Sequence, residues 1–464
     1  MTTGVRTRPA PPAHRSQQRN WQLLTLVVLC LLAFLVAKAE FRSHNPEPFF
    51  YGYGLAVTAV VIVQMVVAFF LYRDPYDAVG FHGPLGSPGV DWPLVTCLVA
   101  VHNDEAIIAD CVRSLCGQTY PHTEVIVIDD ASTDGTAAVL DQLARTLPVR
   151  VIHLPTNVGK KSALARGAET AAGSVFAFAD SDSTWGRDSL ERIVRILLGD
   201  AGIGAVSGHC RARNPHTNLV TRVQDTWYEG QFAVRKAFES VFGAVTCVSG
   251  PLAVFRREAI YNLFPAWERD SFLGDAFRFA TDRTLTGYVL GAESVGPALV
   301  ARTPEESPFL ATRHPTRKWR VVYCKSAKAW TQVPDSLPRV LRQQARWKKS
   351  FVRNIFLTGR FYWRRPLPAA LVYYLHILFV LAGPLVAFRH MVLLPLDGNL
   401  TSMFLYVFGI TVIGSAFGLA HKAEEPDTSG WMYRPLMSLL STLVLSWLIF
   451  YSIATIKKMT WARG

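Results

Sequence analysis

The chain has 464 residues, 50% of them hydrophobic, and Lys+Arg outnumber Asp+Glu 48 to 35, for a net charge of +13. That length allows a globular domain of roughly 250 residues beside a membrane part, and the clustering of apolar residues toward the two ends argues for a membrane protein with a soluble insert. The basic balance suits an anionic membrane face or a polyanionic nucleotide. It would also suit nucleic acid, but no zinc-finger spacing or aromatic-basic motif occurs, so nucleic acid is not the expected partner. The seven cysteines are scattered, and Cys111 and Cys116 have neither zinc-ribbon nor redox spacing. An odd count without a framework points to a reducing compartment for the soluble part.

Residues 1–20 hold Arg6, Arg8, Arg15 and Arg19 and no acid, and read as a disordered basic N-terminus. Apolar runs at 22–38 and 55–72 make 21–73 a pair of transmembrane helices, each about long enough to cross ~30 Å of hydrocarbon. The connection between them has Arg42 against Glu40 and Glu47, so the positive-inside rule places the N-terminus in the cytoplasm. The basic start, apolar run and Ala37-Lys38-Ala39 also fit a secretory signal, but a second span follows at once.

The pattern changes over 74–335. Leu94–Val101, Glu124–Asp130, Val149–His153 and Ser174–Ala179 read as strands; helices are expected from near Asp104, over Asp134–Leu147 and over Lys160–Ala172. Such alternation predicts an α/β domain with a parallel sheet. Ligands in such sheets sit beyond the carboxyl ends of the strands, where Asp129, Asp130, Asp180 and Asp182 fall.

Residues 336–365 are strongly basic. Arg339, Arg342, Arg346, Lys349 and Arg353 share one helical face, which predicts an amphipathic helix on the cytoplasmic membrane surface. Apolar runs near 367–388, 401–420 and 435–456 make 366–460 a second membrane region. Five crossings from the inside would leave the C-terminus outside, against the preference of Lys457, Lys458 and Arg463. One run should therefore enter and return, and the last is the candidate. That is tolerated only where protein or a water path satisfies the backbone.

Several strings carry chemistry. A carboxylate of Asp129-Asp130 can accept hydrogen bonds from a uracil or ribose; the plain alternative is a helix-capping loop. Lysines at the start of a helix, as in Gly159-Lys160-Lys161, oppose its dipole, a conflict that a bound diphosphate relieves. Asp180-Ser-Asp182 supplies the hard oxygens that Mg2+ or Mn2+ prefers, one acid for the metal and the other for the ribose. Glycosyl transfer needs a base for the acceptor hydroxyl, and Asp282 is the candidate, with Asp275 as alternative. In Gln343-Gln-Ala-Arg-Trp347, Arg346 can neutralise a departing diphosphate and Trp347 can offer a plane to a sugar, although Trp is equally an interfacial anchor.

Together with Val248-Ser-Gly-Pro-Leu252, Asp282-Arg-Thr-Leu-Thr286 and Trp461-Ala-Arg-Gly464, these elements resemble the processive family 2 glycosyltransferases, and among them the hyaluronan synthases, from about residue 20 onward. The resemblance implies a GT-A-type, Rossmann-like cytosolic catalytic domain inserted in an α-helical transmembrane domain with amphipathic interface helices. It implies a multi-pass protein of the cell membrane in which 366–460 forms a channel whose last segment is re-entrant. Separately from the resemblance, a monomer without nucleic acid is the expected state. The resemblance further implies UDP-GlcNAc and UDP-glucuronate as donors, a growing polysaccharide as acceptor, inversion, and Mg2+ or Mn2+. Carried over, Asp130, Lys160, Lys161 and Asp180 meet the nucleotide, with Asp182 and Asp180 on the metal. Asp282 is the base and Arg346 meets the diphosphate, while Trp347, Gln343, Ser249, Gly250 and Pro251 meet the acceptor. Trp461 and Arg463, in 461–464, form a segment that closes over the nucleotide. Two departures stand out: Thr281 precedes the base where the family usually has an acid, and the terminal motif is shortened. A chitin-type synthase using UDP-GlcNAc alone, a non-processive lipid-carrier transferase and an inactive scaffold are the competing readings.

Overall fold

The computed structural model describes residues 20–40, 47–79, 84–85, 87, 89–426 and 428–458. Its centre is a mixed sheet in the order β3-β2-β1-β4-β7-β6-β10-β5. The strands are β1 (Val95–Val101), β2 (Thr123–Asp129), β3 (Val149–His153), β4 (Val175–Asp180), β5 (Ser183–Trp185), β6 (Ile203–Ala212), β7 (Ala253–Arg256) and β10 (Arg320–Thr331). A small hairpin, β8 (Ser271–Phe272) with β9 (Asp275–Ala276), stands apart.

The first four strands match the sequence expectation closely. β1, β2, β3 and β4 pair in parallel. The expectation of a wholly parallel sheet is corrected by β7, which runs antiparallel to both β4 and β6. That strand follows the Gly250–Leu252 turn and is too short to announce itself by periodicity. Side chains along the central strands alternate between two apolar layers. Leu98, Ile126, Ile128, Phe176 and Phe178 enter one layer; Val99, Val127, Ala177 and Ala179 enter the other. Burial on both faces explains why these strands read as unbroken apolar runs.

Among the described residues, stretches at Trp21–Glu40, Pro48–Ala78, Leu367–Leu396, Leu400–Glu424 and Gly430–Ala454 are long and apolar enough to cross a membrane. The last is broken. Helix Arg434–Leu443 ends at Val444 and a 3-10 turn, Leu445–Trp447, precedes helix Leu448–Ala454. Ten residues rise only about 15 Å, half of a hydrocarbon core. Leu448–Ala454 lies instead against helix Leu337–Leu357, where Ser452 Oγ donates to the Ala345 carbonyl at 3.1 Å.

Helix Leu337–Leu357 departs from the expected surface helix. Of its basic face, Arg339 and Arg342 are exposed, but Lys349 and Arg353 are buried. Lys349 Nζ donates to the Lys458 carbonyl at 2.8 Å, and Arg353 pairs with Asp270 at 2.5 Å. The inner part of the stripe therefore faces protein: Asp270 neutralises Arg353, while Lys349 is held by a backbone carbonyl of the C-terminal segment.

The membrane helices and the sheet share one apolar cluster, in which Leu24, Ile62, Met65 and Phe69 join Phe176 and Phe255. A polar clamp reinforces this contact. Arg211, on β6, reaches Asp225 at 2.8 Å, Glu229 at 3.3 Å and Glu425 at 3.0 Å. Lys325, on β10, pairs with Glu424 at 2.5 Å. Glu229, His421 and Glu425 lie close enough together to hold a metal ion. The Arg211 guanidinium already supplies the cation there, so the cluster is an ion-pair clamp.

Candidate functional site

A cavity of about 570 Å³ opens at the carboxyl end of β4 and runs to the membrane helices. Lys160, Asp180, Asp182, Ser249, Gly250, Pro251, Asp282, Gln343, Arg346 and Trp347 all line it. Acids from the sheet and a guanidinium from a distant helix thus converge on one space.

Asp180 closes β4, and Asp182 sits in the turn before β5. Asp180 pairs with Lys160, the first residue of helix Lys160–Glu169. Asp182 Oδ1 accepts from Thr331 Oγ1 at 3.0 Å and Ser183 Oγ at 3.3 Å. The intervening Ser181 donates to the buried Asp104 at 2.6 Å, which fixes the turn. The result is a pair of oriented carboxylates beside open space, a donor set of hard oxygens that fits Mg2+ or Mn2+.

Asp282 lies in the first turn of helix Thr281–Leu290. It follows Ala280, whose φ of +61° is a left-handed conformation that costs about 1 kcal/mol or more outside glycine. Thr281 is held by Trp267, whose indole donates to its carbonyl at 2.8 Å. Asp282 Oδ2 accepts from the Gly250 amide at 3.3 Å and faces Cys247 Sγ at 3.4 Å. Burial pushes the Cys247 thiol up to about 12, so it remains a weak donor to the carboxylate. Asp275, the alternative base, is corrected: it sits exposed on the β9 hairpin, paired with Lys457 at 3.2 Å.

Gly250 joins the two acid centres. A Cβ there would stand 2.8 Å from Asp180 Oδ2, so no larger residue fits without displacing that acid. Trp185 donates to the Pro251 carbonyl at 2.6 Å, and the buried Lys236 donates to Ser249 Oγ at 2.6 Å. The Ser249–Pro251 stretch is thereby pinned along the cavity wall. Trp347 stacks on Trp227 with centroids 5.5 Å apart and an interplanar angle of 16°.

Two residues expected at the nucleotide have their side chains engaged by the protein. Asp130 is buried, and its carboxylate accepts from the amides of Val158 at 2.7 Å and Gly159 at 2.9 Å. It holds the loop that leads into the Lys160 helix, where Gly159 takes a φ of +88°. Lys161 is corrected outright. Its Nζ donates to Asp270 at 2.9 Å and to the Phe277 carbonyl at 2.8 Å, on the buried side of the helix. Burial lowers its pKa while Asp270 opposes that shift. Adjacent lysines on a helix point about 100° apart, so only one of the pair can face the cavity. Trp461 and Arg463 lie outside the described residues.

Sequence reading missed Asp104, Thr331, Lys236 and Asp270. Asp104 alone had a usable signal, as an acid just after a strand end; the others act across long sequence separations.

Residues 96–264 match the model of Glycosyl transferase family 2. The chain is 26% identical over 446 residues to a hyaluronan synthase of Streptococcus pyogenes serotype M3, covering 95% of this chain and 96% of that protein. It is 28% identical over 374 residues to an N-acetylglucosaminyltransferase of Azorhizobium caulinodans, covering 80% of this chain and 87% of that one. A mannosyltransferase of Pyrobaculum calidifontis, solved with GDP-Man and Mn2+, shares the fold at a TM-score of 0.52 and 21% identity, over 91% of this chain and 99% of that one. The chain is a membrane glycosyltransferase that carries a family 2 domain of GT-A fold between apolar helices of spanning length.

Proposed function

We propose that this protein is a processive polysaccharide synthase. It transfers sugars from UDP-GlcNAc and UDP-glucuronate to a growing hyaluronan-like chain, inverts the anomeric carbon, and passes the product through its own membrane helices. The observation that carries the reading is the shape of the cavity. Asp180, Asp182 and Lys160 line it together with Asp282, Arg346 and Trp347, and so do His376 and Val380 of helix Leu367–Phe388 and Ser441 and Leu445 near the broken last segment. A transferase that puts one sugar on a lipid needs no such continuity.

In this reading, Asp182 with Asp180 holds Mg2+ or Mn2+, which supplies positive charge to the diphosphate when bound. Lys160 and Arg346 add fixed cations for the leaving group. Asp282 accepts the proton of the acceptor hydroxyl as it attacks the anomeric carbon. Gln343, Trp347 and the Ser249–Pro251 wall position the terminal sugar. The nucleoside rests near the loop that Asp130 braces, and Trp461 with Arg463 closes over it. The catalytic domain lies on the cytoplasmic side, where UDP-sugars are made available.

The similarity to N-acetylglucosaminyltransferases supports a second reading, a chitin-type synthase using UDP-GlcNAc alone. Purified full-length protein is supplied with Mn2+ and UDP-GlcNAc, UDP-glucuronate, or both. High-mass polymer only with both donors is the expected result. Polymer from UDP-GlcNAc alone would establish the second reading, and single-sugar products in every arm would remove processivity.

A further inference from the structure

The loop that brings Cys247 and Gly250 to Asp282 is fastened from two sides. On one side, the Val248 amide donates to Thr286 Oγ1 at 2.9 Å, and the Thr286 hydroxyl donates to the Asp282 carbonyl at 2.8 Å. On the other, the Thr246 amide and hydroxyl donate to Glu239, each at 2.9 Å, and Lys236 Nζ donates to Ser249 Oγ at 2.6 Å. Lys236 closes the π-helical segment Gln231–Lys236. Such segments interrupt an α-helix and are frequent at functional sites. The same ammonium donates to Ser207 Oγ of β6 at 2.8 Å and stands 4.2 Å from the centre of the Phe232 ring.

Lys236 is 7% exposed and lines the catalytic cavity, yet among the described residues it has no carboxylate at ion-pair distance. A buried ammonium without a direct counter-charge is costly, and two hydroxyls with an aromatic face do not cancel its charge. Burial lowers its pKa, while Cys247, Asp282, Glu239 and Cys210 act against that shift. The attraction is mutual, so a carboxylate that favours the ammonium is itself favoured in its charged form.

The other groups around Asp282 are engaged elsewhere. Lys161, on helix Lys160–Glu169, acts on Asp282 but is paired with Asp270. Arg283, on the helix of Asp282 itself, also acts on Tyr373 and His376 of helix Leu367–Phe388. Burial keeps the Cys247 thiol protonated. Asp180, across Gly250, is paired with Lys160.

We propose that Lys236 is a positioning residue for the transfer step: it anchors the Ser249–Gly250 turn against Asp282 and supplies the charge that keeps this base ionised between turnovers. The inference rests on the reading of Asp282 as the base. When Asp282 takes the proton of the acceptor hydroxyl, its negative charge is lost and the Lys236 ammonium loses an attraction. Release of that proton to water is thereby favoured, and the base is reset. The same cation makes Asp282 a weaker base. A neutral side chain at position 236 should therefore harm turnover at low pH and spare it at high pH, whereas a lysine that only supports the fold would matter equally at every pH.

The test follows UDP release by full-length protein in phosphatidylcholine nanodiscs, with Mn2+ and saturating UDP-GlcNAc and UDP-glucuronate, as a function of pH. Lys236→Met removes the charge and the donors, and Lys236→Gln removes the charge but keeps a donor for the serines. In both, the acid limb of the kcat profile should move up by about one pH unit. Turnover on that limb should then fall about ten-fold, against less than about three-fold on the alkaline plateau. Binding of UDP, read by tryptophan fluorescence, reports whether each variant is folded. An acid limb unmoved in whichever variant binds UDP would overturn the inference. So would an equal loss of turnover at every pH, or loss of UDP binding by both variants, since either result leaves the lysine with the fold alone. Asp282→Asn judges the base separately: if its turnover and acid limb match those of the native protein, that reading falls, whatever the position 236 variants show.

Discussion

Arg353 reaches Asp270 at 2.5 Å inside the protein, two helical turns beyond Arg346 on the same face. The other oxygen of Asp270 takes Lys161, the neighbour of Lys160. A single buried carboxylate therefore ties the helix bearing the candidate diphosphate guanidinium to the helix bearing the candidate diphosphate lysine. Asp270→Asn would leave Lys161 and Arg353 without their counter-charge, at a cost of about 3–5 kcal/mol. Thermal unfolding of the detergent-solubilised protein should show a clear loss of stability. A melting temperature equal to that of the native protein would show that the pair adds nothing.

Asp282→Asn keeps the shape of the side chain but removes its basicity. Sugar transfer should fall by about 10²–10⁴-fold, with nucleotide binding retained. Asp275→Asn, on the exposed hairpin, should leave turnover near native. Loss of activity in the second variant and not the first would reverse the assignment of the base.

Arg346→Ala removes a fixed cation from the leaving-group end of the cavity. By analogy with the loss of one charge-stabilising donor, turnover should drop about 10²–10³-fold. Arg346→Lys should recover part of it, since a point charge replaces only some of the guanidinium fork. Undiminished turnover in Arg346→Ala would end this role.

Chelation of divalent cations should abolish transfer, and added Mg2+ or Mn2+ should restore it. Asp182→Asn should raise the metal concentration for half-maximal activity by about ten-fold or more, the range seen when metal-site contacts are weakened. Transfer that survives chelation would remove the metal from the mechanism.

Lys348 supplies a pH signature. Burial lowers its folded value to about 8, against 10.5 for a free lysine. Between those values the unfolded chain holds the extra proton, so this group makes stability rise with pH across that window. Lys348→Met should flatten the rise in melting temperature between about pH 8 and about pH 10. A native profile as flat as that of the variant would show that burial does not shift this lysine.

Strands β1, β2 and β4 were legible because burial on both faces turns them into short apolar runs, two of which end in acids, Asp129 and Asp180. The acids Asp180, Asp182 and Asp282 and the Gln343–Trp347 string were legible for the same local reason: their chemistry is written within a few residues. What stayed hidden depends on distant partners. Which of Lys160 and Lys161 faces the cavity is settled by Asp270, more than a hundred residues away. The inward turn of Lys349 and Arg353 is set by Lys458 and Asp270, which helical periodicity alone does not reveal. The antiparallel β7 came from a turn too tight to leave a period.

The clamp of Arg211 with Glu229 and Glu425 has a practical corollary. A soluble fragment ending before the membrane helices would keep Arg211, His209 and Glu229 but lose Glu425 and His421, and it would strand Lys325 without Glu424. It would also expose the shared apolar cluster to water. The sheet and the lipid-facing helices were thus shaped as one casting, and a cut between them would produce a fragment prone to clump rather than a smaller enzyme.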